Sequence, residues 1–370
     1  MRETIDAARL MSWTEQYYTF GVHRTGLAPD LATAAWFFEI LETMGARCER
    51  RQVVFDRYDV SASLTDTSGE PIACEPVFYE FLGKIDTTDF EVIEIGTAQV
   101  GLAAGLDSVL NPGGTLPRVL VIESPEGMVR APNRRVAACD RVAAVVVGES
   151  DLLRLEGARL NVDAQLVPGL CEASSAVLGP DGAPPVTITT PLSGWFGCAS
   201  ERGTGVAVAL ALAERLAAQH RVTVVACSGH ELDHLGLHVW IEEAEQMGLL
   251  PEGPVIHLGA SVAALDPTDD GETKMAPRLM LHHLDGLDLA DVAEPAGFRV
   301  ICTSEAWPGE GGTWREHVVS PVLSFVGGGQ WFHTTGDTPE AATSVEALEA
   351  SARAVFEVTD RFLSEVEHNG

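Results

Sequence analysis

The sequence is short of positive charge. Its 370 residues hold 24 lysines and arginines against 54 aspartates and glutamates, for a formal net charge of −30. Lysine is nearly absent, with only Lys84 and Lys274. Nucleic acids and anionic membranes both require a basic footprint, so neither is expected as a partner. No apolar run is long enough to span a bilayer. The opening residues, Met1 to Ala8, lack the charged-then-apolar pattern of a secretory signal, which makes the cytoplasm the expected location. Seven cysteines are scattered along the chain at Cys48, Cys74, Cys139, Cys171, Cys198, Cys227 and Cys302, and no two form a C-x-x-C pair. The odd number excludes a fully paired disulfide framework, and the spacing argues against a thiolate zinc site. Internal repeats and low-complexity segments are also missing.

What is present is enough chain for a large core and one or two domains. Residues 31–44 place apolar side chains at helical spacing, with Asp30 as a candidate N-cap and Gly45 as a candidate C-cap. A strand follows at about 48–55. Between residues 60 and 180 the texture changes to short β-like runs such as 118–123 and 141–147. Turns rich in glycine and proline separate them at 111–114 and 179–185, and residues 133–147 read as a helix feeding a strand. From 186 onward strands and helices alternate, with strands near 186–190, 222–227, 255–264, 278–283 and 321–325. Helices fall near 205–219, 237–247 and 344–365. This rhythm predicts an α/β fold, a mostly parallel central sheet flanked by helices. Residues 1–59 and 181–370 form that domain, and residues 60–180 form an inserted β-rich domain.

Three polar segments follow predicted strands or lie in loops: residues 190–205, 229–237 and 330–338. The carboxyl ends of parallel strands converge on one rim, so a joint site there is expected. Residues His230 to His234 also spell His-Glu-x-x-His, a zinc-binding pattern when both histidines lie on one helix. That helix would need to extend further upstream, and a strand ending at Cys227 with Ser228-Gly229 behind it favours the strand-end reading over it. His230 and Glu231 therefore read as strand-end residues. Ser193 and Cys198 carry nucleophilic atoms, but no base stands beside them in the sequence. Trp195, Trp307, Trp314 and Trp331 lie in loops where aromatics either line a ligand pocket or pack the core. His257, His282 and His283 sit in strand-like runs and read as packed or surface residues.

These segments resemble the M28-type zinc aminopeptidase family. The helix after Gly205, the strand before His230 and the run His333-Thr-Thr-Gly-Asp337 occur in the family's order. The segment 60–180 resembles the protease-associated domain that some members carry. The resemblance implies roles residue by residue. Glu201 stands where a metal-bridging Asp is expected, Glu231 where a metal-binding Glu is expected, and His333 where the last metal-binding His is expected. His230 stands in the place of the general base, a Glu in the family. An early His and the Asp of an Asn-Leu-Asp run have no counterparts near Thr190 and residues 256–260. The implied site is an incomplete two-metal centre with one Zn²⁺ held by Glu201, Glu231 and His333.

A histidine and two carboxylates can hold one zinc ion and leave a position for water, whose pKa the ion lowers. His230 and Glu231 are the candidate catalytic residues, with His230 able to carry a proton near neutral pH. Trp195, His234, Glu310 and Trp331 are candidate substrate-binding residues, while Glu305 and His317 lie in the same loop region. Asp337 reads as a turn residue or one that orients His333. Glu201 can equally pair with Arg202 or another arginine. The expected function is a metal-dependent hydrolase of an amide or related bond in a small-molecule or peptide-like substrate. A lyase, cyclase or isomerase on the same scaffold, or a metal-free binding protein, fits the same residues.

Overall fold

The computed structural model describes residues 5–96, 114–132 and 141–369. The expected turn at 111–113, the expected helix at 133–140 and Cys139 lie outside them. The chain divides into two compact units. The first comprises Met1–Val53, Leu170–Phe332 and Asp337–Gly370, and the second comprises Val54–Gly169 and His333–Gly336. The borders fall inside the strands Gln52–Thr65 and Arg159–Leu178 rather than at the expected 59/60 and 180/181. The reason lies in those strands. Each carries its β pattern straight through the border, so no turn marks the change of unit.

In the first unit, helices α1 (Ala7–Thr19) and α2 (Ala28–Thr43) precede the edge strand β1 (Arg47–Glu49). Strand β2 (Arg159–Leu178) enters this unit at Leu170, and β3 (Pro185–Pro191), α3 (Thr204–Leu216), β4 (Arg221–Cys227), α4 (Leu235–Met247) and β5 (Val255–Leu258) follow. The unit ends with β6 (Arg278–His282), β7 (Phe298–Cys302), α5 (Glu310–His317), β8 (Val322–Gly327) and α6 (Val345–Asn369). The sheet order is β7-β6-β8-β5-β3-β4-β2, with β1 beside β2. Strands β4, β3, β5 and β8 pair in parallel. Strand β2 is antiparallel to β4 and to β1, and β6 is antiparallel to β8 but parallel to β7. The expected mostly parallel sheet is thus a mixed one, with a parallel centre and antiparallel flanks.

The centre explains the apolar runs. Strands buried on both faces need continuous hydrophobic sequence, and β4 buries Val222, Val224, Val225, Ala226 and Cys227. Helix α3 is buried almost all round, from Val206 to Ala213, and packs against α1, α6 and the central strands. A helix with that environment is apolar on every side. Asp30 is not the cap of α2. Leu27 occupies that place, with proline in the first turn, and Asp30 lies one turn inside. Strand β5 stops at Leu258, so the expected strand to 264 is cut short by a turn, where Ser261 is left-handed with φ 57°.

The second unit is rich in strands. One sheet runs Glu75–Pro76, Ala144–Gly148, Arg118–Ile122, Glu91–Ile95, and its last three strands are parallel. Val119, Val121, Val145, Val147 and Leu160 form part of one core there. Among the described residues, no helix is long and apolar enough to cross a membrane.

Candidate functional site

Strand β3 connects to β4 on one side, while β5, on its other side, leads on toward β8. Loops leaving the carboxyl ends of β3 and β5 therefore diverge, and such a switch point leaves a crevice at that rim. Two loops and one helix start of the first unit meet around it. Residues 192–203 follow β3, residues 228–234 follow β4, and α5 starts at Glu310.

The segment after β4 is backbone-strained. Gly229 is left-handed with φ 89°, His230–Leu232 form a single tight turn, and Asp233 and His234 are left-handed with φ 56° and 60°. Non-glycine residues rarely adopt this region, and such strain collects at sites whose side chains are held for a purpose. His230 and His234 are therefore not successive ligands on one helix. Instead their rings lie 5.0 Å apart, and His234 and His238 are 6.3 Å apart.

The loop is pinned from two sides. Glu231 Oε1 accepts hydrogen bonds from the Thr25 backbone N–H at 2.6 Å and the Thr25 hydroxyl at 2.7 Å, and Oε2 accepts from Ser193 Oγ at 2.8 Å. Ser193 Oγ accepts in turn from the N–H groups of Gly229 and His230 at 2.9 and 3.1 Å. These bonds fix the loop and use up Ser193 as a nucleophile. Below it Asp30, buried, accepts from Ser228 Oγ at 2.5 Å and from Gly26 N–H at 2.9 Å. Burial pushes its pKa up to about 8, only partly offset by those two bonds.

Pinned this way, His230 turns its Nδ1 to Glu310 Oε1 at 3.2 Å. Glu310 is buried, and desolvation raises its pKa, although His234, Arg202 and His238 pull it back down. His234 places Nδ1 2.8 Å from Thr313 Oγ1, and burial lowers its pKa. His257, at the end of β5, has Nδ1 2.8 Å from Ser324 Oγ. Burial, with His230, His234 and Arg202 nearby, holds the His257 pKa down to about 3, so its ring is neutral. The histidines thus divide into one facing a carboxyl group and two facing hydroxyls, of which His257 is held neutral.

The loop after β3 supplies a second cluster. Cys198 is left-handed with φ 49°, and a wide π-helical turn, Ala199–Gly203, leads into α3. Asp337 caps that turn, accepting from the N–H groups of Ser200 at 2.7 Å and Glu201 at 3.0 Å. Burial and the nearby Glu201 carboxylate push its pKa up to about 7. Asp337 therefore shapes the Glu201 turn, a role the sequence reading did not give it. Glu201 itself faces Arg202, with Nη2 3.1 Å from Oε1, and Cys198 Sγ donates to Oε2 at 3.6 Å. Burial raises the Cys198 thiol pKa strongly, so it stays protonated.

The structure brings together His230, His234 and Glu310 from the sequence candidates. Trp195 and Trp331 are buried in their loops. His333 belongs to the second unit, is left-handed with φ 61°, and turns Nδ1 to the Ala131 carbonyl at 3.2 Å. Among the described residues, no three histidine, cysteine, aspartate or glutamate side chains are grouped to share a metal ion. The donor chemistry agrees with that. Both Glu231 oxygens are filled by protein donors, and Glu201 faces a guanidinium rather than open space. The residues as arranged do not fit a zinc ion. Thr313 is a site residue that sequence reading did not name, while Arg202, His257 and Ser193 were read only as a counter-ion, a packed or surface residue and a nucleophile without a base. The signal for His257 was its position at the end of a buried strand, and for Arg202 a charged pair beside glycine. A cavity of about 370 Å³ lies away from this rim, between α4 and the other end of the strands, lined by Arg51, Arg221, Trp240 and Glu243.

No family model and no curated protein matches the sequence. Solved structures do. A zinc aminopeptidase from Bacillus subtilis superposes with a TM-score of 0.70 at 13% identity, covering 97% of this chain and 96% of that one. The chain has the zinc aminopeptidase fold. An M28 peptidase precursor from Shewanella amazonensis gives a TM-score of 0.66 at 15% identity, covering 97% and 96%. A glutaminyl cyclase from Porphyromonas gingivalis gives 0.53 at 13% identity, covering 96% and 98%. At these identities the likeness establishes the fold alone.

Proposed function

We propose that the chain is an enzyme that acts on an amide or related bond of a small polar substrate, with His230 and Glu310 moving the proton. The observation that carries this reading is the 3.2 Å approach of His230 Nδ1 to the buried Glu310. Attack on an amide releases a proton from the nucleophile and needs one at the departing nitrogen. A carboxyl group whose pKa is raised toward neutrality can do both in turn. The His230 side chain is 22% exposed and Glu310 only 1%, so the imidazole is the part a substrate can reach. Glu310 would set its orientation and exchange the proton with it. His234 would line the entrance, while Trp195 and Trp331 would support the walls of the pocket.

This reading needs no metal ion in the proton transfer. The fold's likeness to zinc aminopeptidases makes zinc the natural rival, and the likeness to a glutaminyl cyclase favours a second chemistry. In that second chemistry the substrate's own amine attacks its own amide, with the same two proton movements and no water.

A panel of dipeptides, N-acyl amino acids and N-terminal glutaminyl peptides tests both, assayed with a chelator and then with added Zn²⁺. Turnover in chelator that is lost in Glu310→Gln and His230→Asn supports the proposal. Turnover that appears only with zinc, or survives both substitutions, sinks it. An inert panel under both conditions returns the protein to a binding role.

A further inference from the structure

The cavity of about 370 Å³ under α4 lies at the opposite end of the strands from the His230 rim, and its walls belong wholly to the first unit. Successive side chains along a strand point to opposite faces. On one face of β3 and β4, Val186, Ile188, Val222 and Val224 are all buried and apolar. The other face, covered by α4, is apolar near the strand ends, where Val225 and Cys227 pack with Leu237 and Ile241 of the helix. Toward the strand starts it changes character. Thr187 of β3 pairs with Thr223 of β4, and Ser175 of β2 pairs with Val225 on the same face. The three hydroxyl residues line the cavity, and none of their hydroxyls has a hydrogen-bond partner among the described residues. Thr187 is only 2% exposed. A covered sheet face ordinarily carries apolar residues, and interiors hold few voids larger than a water molecule. A void of this size with a hydroxyl floor falls in the range of small-molecule sites.

The two ends of the floor carry opposite charges. Arg221 precedes Thr223 by two residues and shares its face, while Glu49 of β1 stands opposite Ser175. Both line the cavity, and neither forms an ion pair among the described residues. The other arginine of the lining, Arg51, is paired with Glu243 of α4. Glu252 lines the cavity too, so a simple anion would meet two unpaired carboxylates for one guanidinium. A zwitterion suits both signs. Two strand spacings and four residues of register separate Glu49 from Arg221, about 16 Å between their Cα atoms. A peptide of about three residues, at about 3.5 Å each, covers roughly that span with an ion contact at either end. Trp240 of α4 lines the same space, as do the exposed Met247 and Leu249.

We infer that this cavity is a second binding site, built for a short peptide with both termini free. The peptide's carboxylate pairs with Arg221 and its ammonium with Glu49. Its amide groups exchange hydrogen bonds with Ser175, Thr187 and Thr223, since a hydroxyl both donates and accepts. Trp240 and Met247 take an apolar side chain, the one as a flat wall and the other as an adaptable one. The site is separate from the His230 rim and does not depend on the chemistry proposed there.

Calorimetry with the full chain carrying Glu310→Gln, in a chelator, tests this, because neither route to cleavage at the rim then consumes the probe. Trialanine is expected to bind saturably at one site. N-acetyl-trialanine and trialanine amide each lack one terminal charge and are expected to bind about 10-fold more weakly. Adding Arg221→Met should erase the preference for the free carboxylate, and adding Glu49→Gln should erase that for the free amine. Both side chains are exposed, so neither variant endangers the fold. Thr187→Val keeps the shape of the floor and removes its buried hydroxyl, and should weaken all three peptides alike. Absence of saturable binding at millimolar peptide overturns the inference. Affinity for trialanine that survives both Arg221→Met and Glu49→Gln places the peptide elsewhere and overturns it as well. An effect of Arg221→Met with no effect of acetylation marks a site for simple anions and overturns the peptide assignment.

Discussion

His230, in the loop after β4, and Glu310, at the start of α5, meet at 3.2 Å, with one side chain at the rim and the other fully enclosed. Desolvation raises the Glu310 pKa, so the pair can pass a proton in either direction nearer neutrality than an exposed carboxylate could. Glu310→Gln keeps the shape and hydrogen-bonding reach but removes that ability. For whichever panel amide is turned over, kcat is expected to fall by about 10²–10⁴-fold with KM changed by only a few fold. Steady-state kinetics would check this, and an unchanged kcat would leave the pair with a purely structural role.

Asp30 makes the fold sensitive to alkali. Its pKa is about 8 when folded and near the ordinary 3.8 when unfolded. Between those values the folded chain holds a proton that the unfolded chain has released, so raising the pH favours unfolding. The stability Asp30 contributes is full below pH 4 and is gone above about pH 8. Asp337, pushed up to about 7, adds to the same slope. Urea midpoints are therefore expected to drop from pH 5 to pH 9, and Asp30→Asn is expected to flatten the curve. An Asp30→Asn protein as pH-sensitive as wild type would contradict the assignment.

Much of the fold was written in local patterns that the sequence shows openly. Strand β4 is a continuous apolar run because both its faces are covered, and α3 is apolar all round for the same reason. The flank antiparallel to β4 was harder to see, because β2 crosses from one unit to the other without a turn. At the rim, His230 was visible as a polar residue directly after a buried strand. Glu310 was visible only as one of several charged residues in a loop, since its partner lies 80 positions away. Arg202 was visible only as a possible counter-ion of Glu201. Its distinguishing property is a buried nitrogen without a hydrogen-bond partner among the described residues, which depends on side-chain placement and has no one-dimensional signature. The same holds for Glu231, whose oxygens are taken by Thr25 and Ser193 from distant segments.

Those filled oxygens bear on metal dependence. A zinc ion bound at a hundred times its Kd would stabilise the fold by about 2.7 kcal/mol, and stripping it would lower the melting temperature visibly. With Glu231 held by three protein donors and Glu201 facing Arg202, a chelator is expected to leave thermal unfolding unchanged. Scanning calorimetry of protein purified without added metal, before and after chelation, would check this. A drop of several degrees on chelation, reversed by zinc, would point to a donor arrangement different from the one seen.

Gly236 ties the strained loop to the helix that follows it. A Cβ at this position would lie 2.3 Å from the Glu172 carbonyl oxygen and 2.5 Å from that of Ser228. Both are backbone atoms, one on β2 and one at the exit of β4, and the Gly236 N–H donates to the Ser228 carbonyl at 3.1 Å. Neither can yield without moving a strand or breaking that bond. Gly236→Ala would therefore shift the start of α4, and with it His234 and the His230 turn. Overpacking of this kind costs about 1–3 kcal/mol in a well-filled interior, and contacts this short with backbone place the expected loss at the upper end. Alanine's better helix propensity recovers at most about 1 kcal/mol. Chemical denaturation should show the net loss, and binding or turnover should fall along with it. A Gly236→Ala protein as stable as wild type would mean that the loop and α4 are not packed as closely as described.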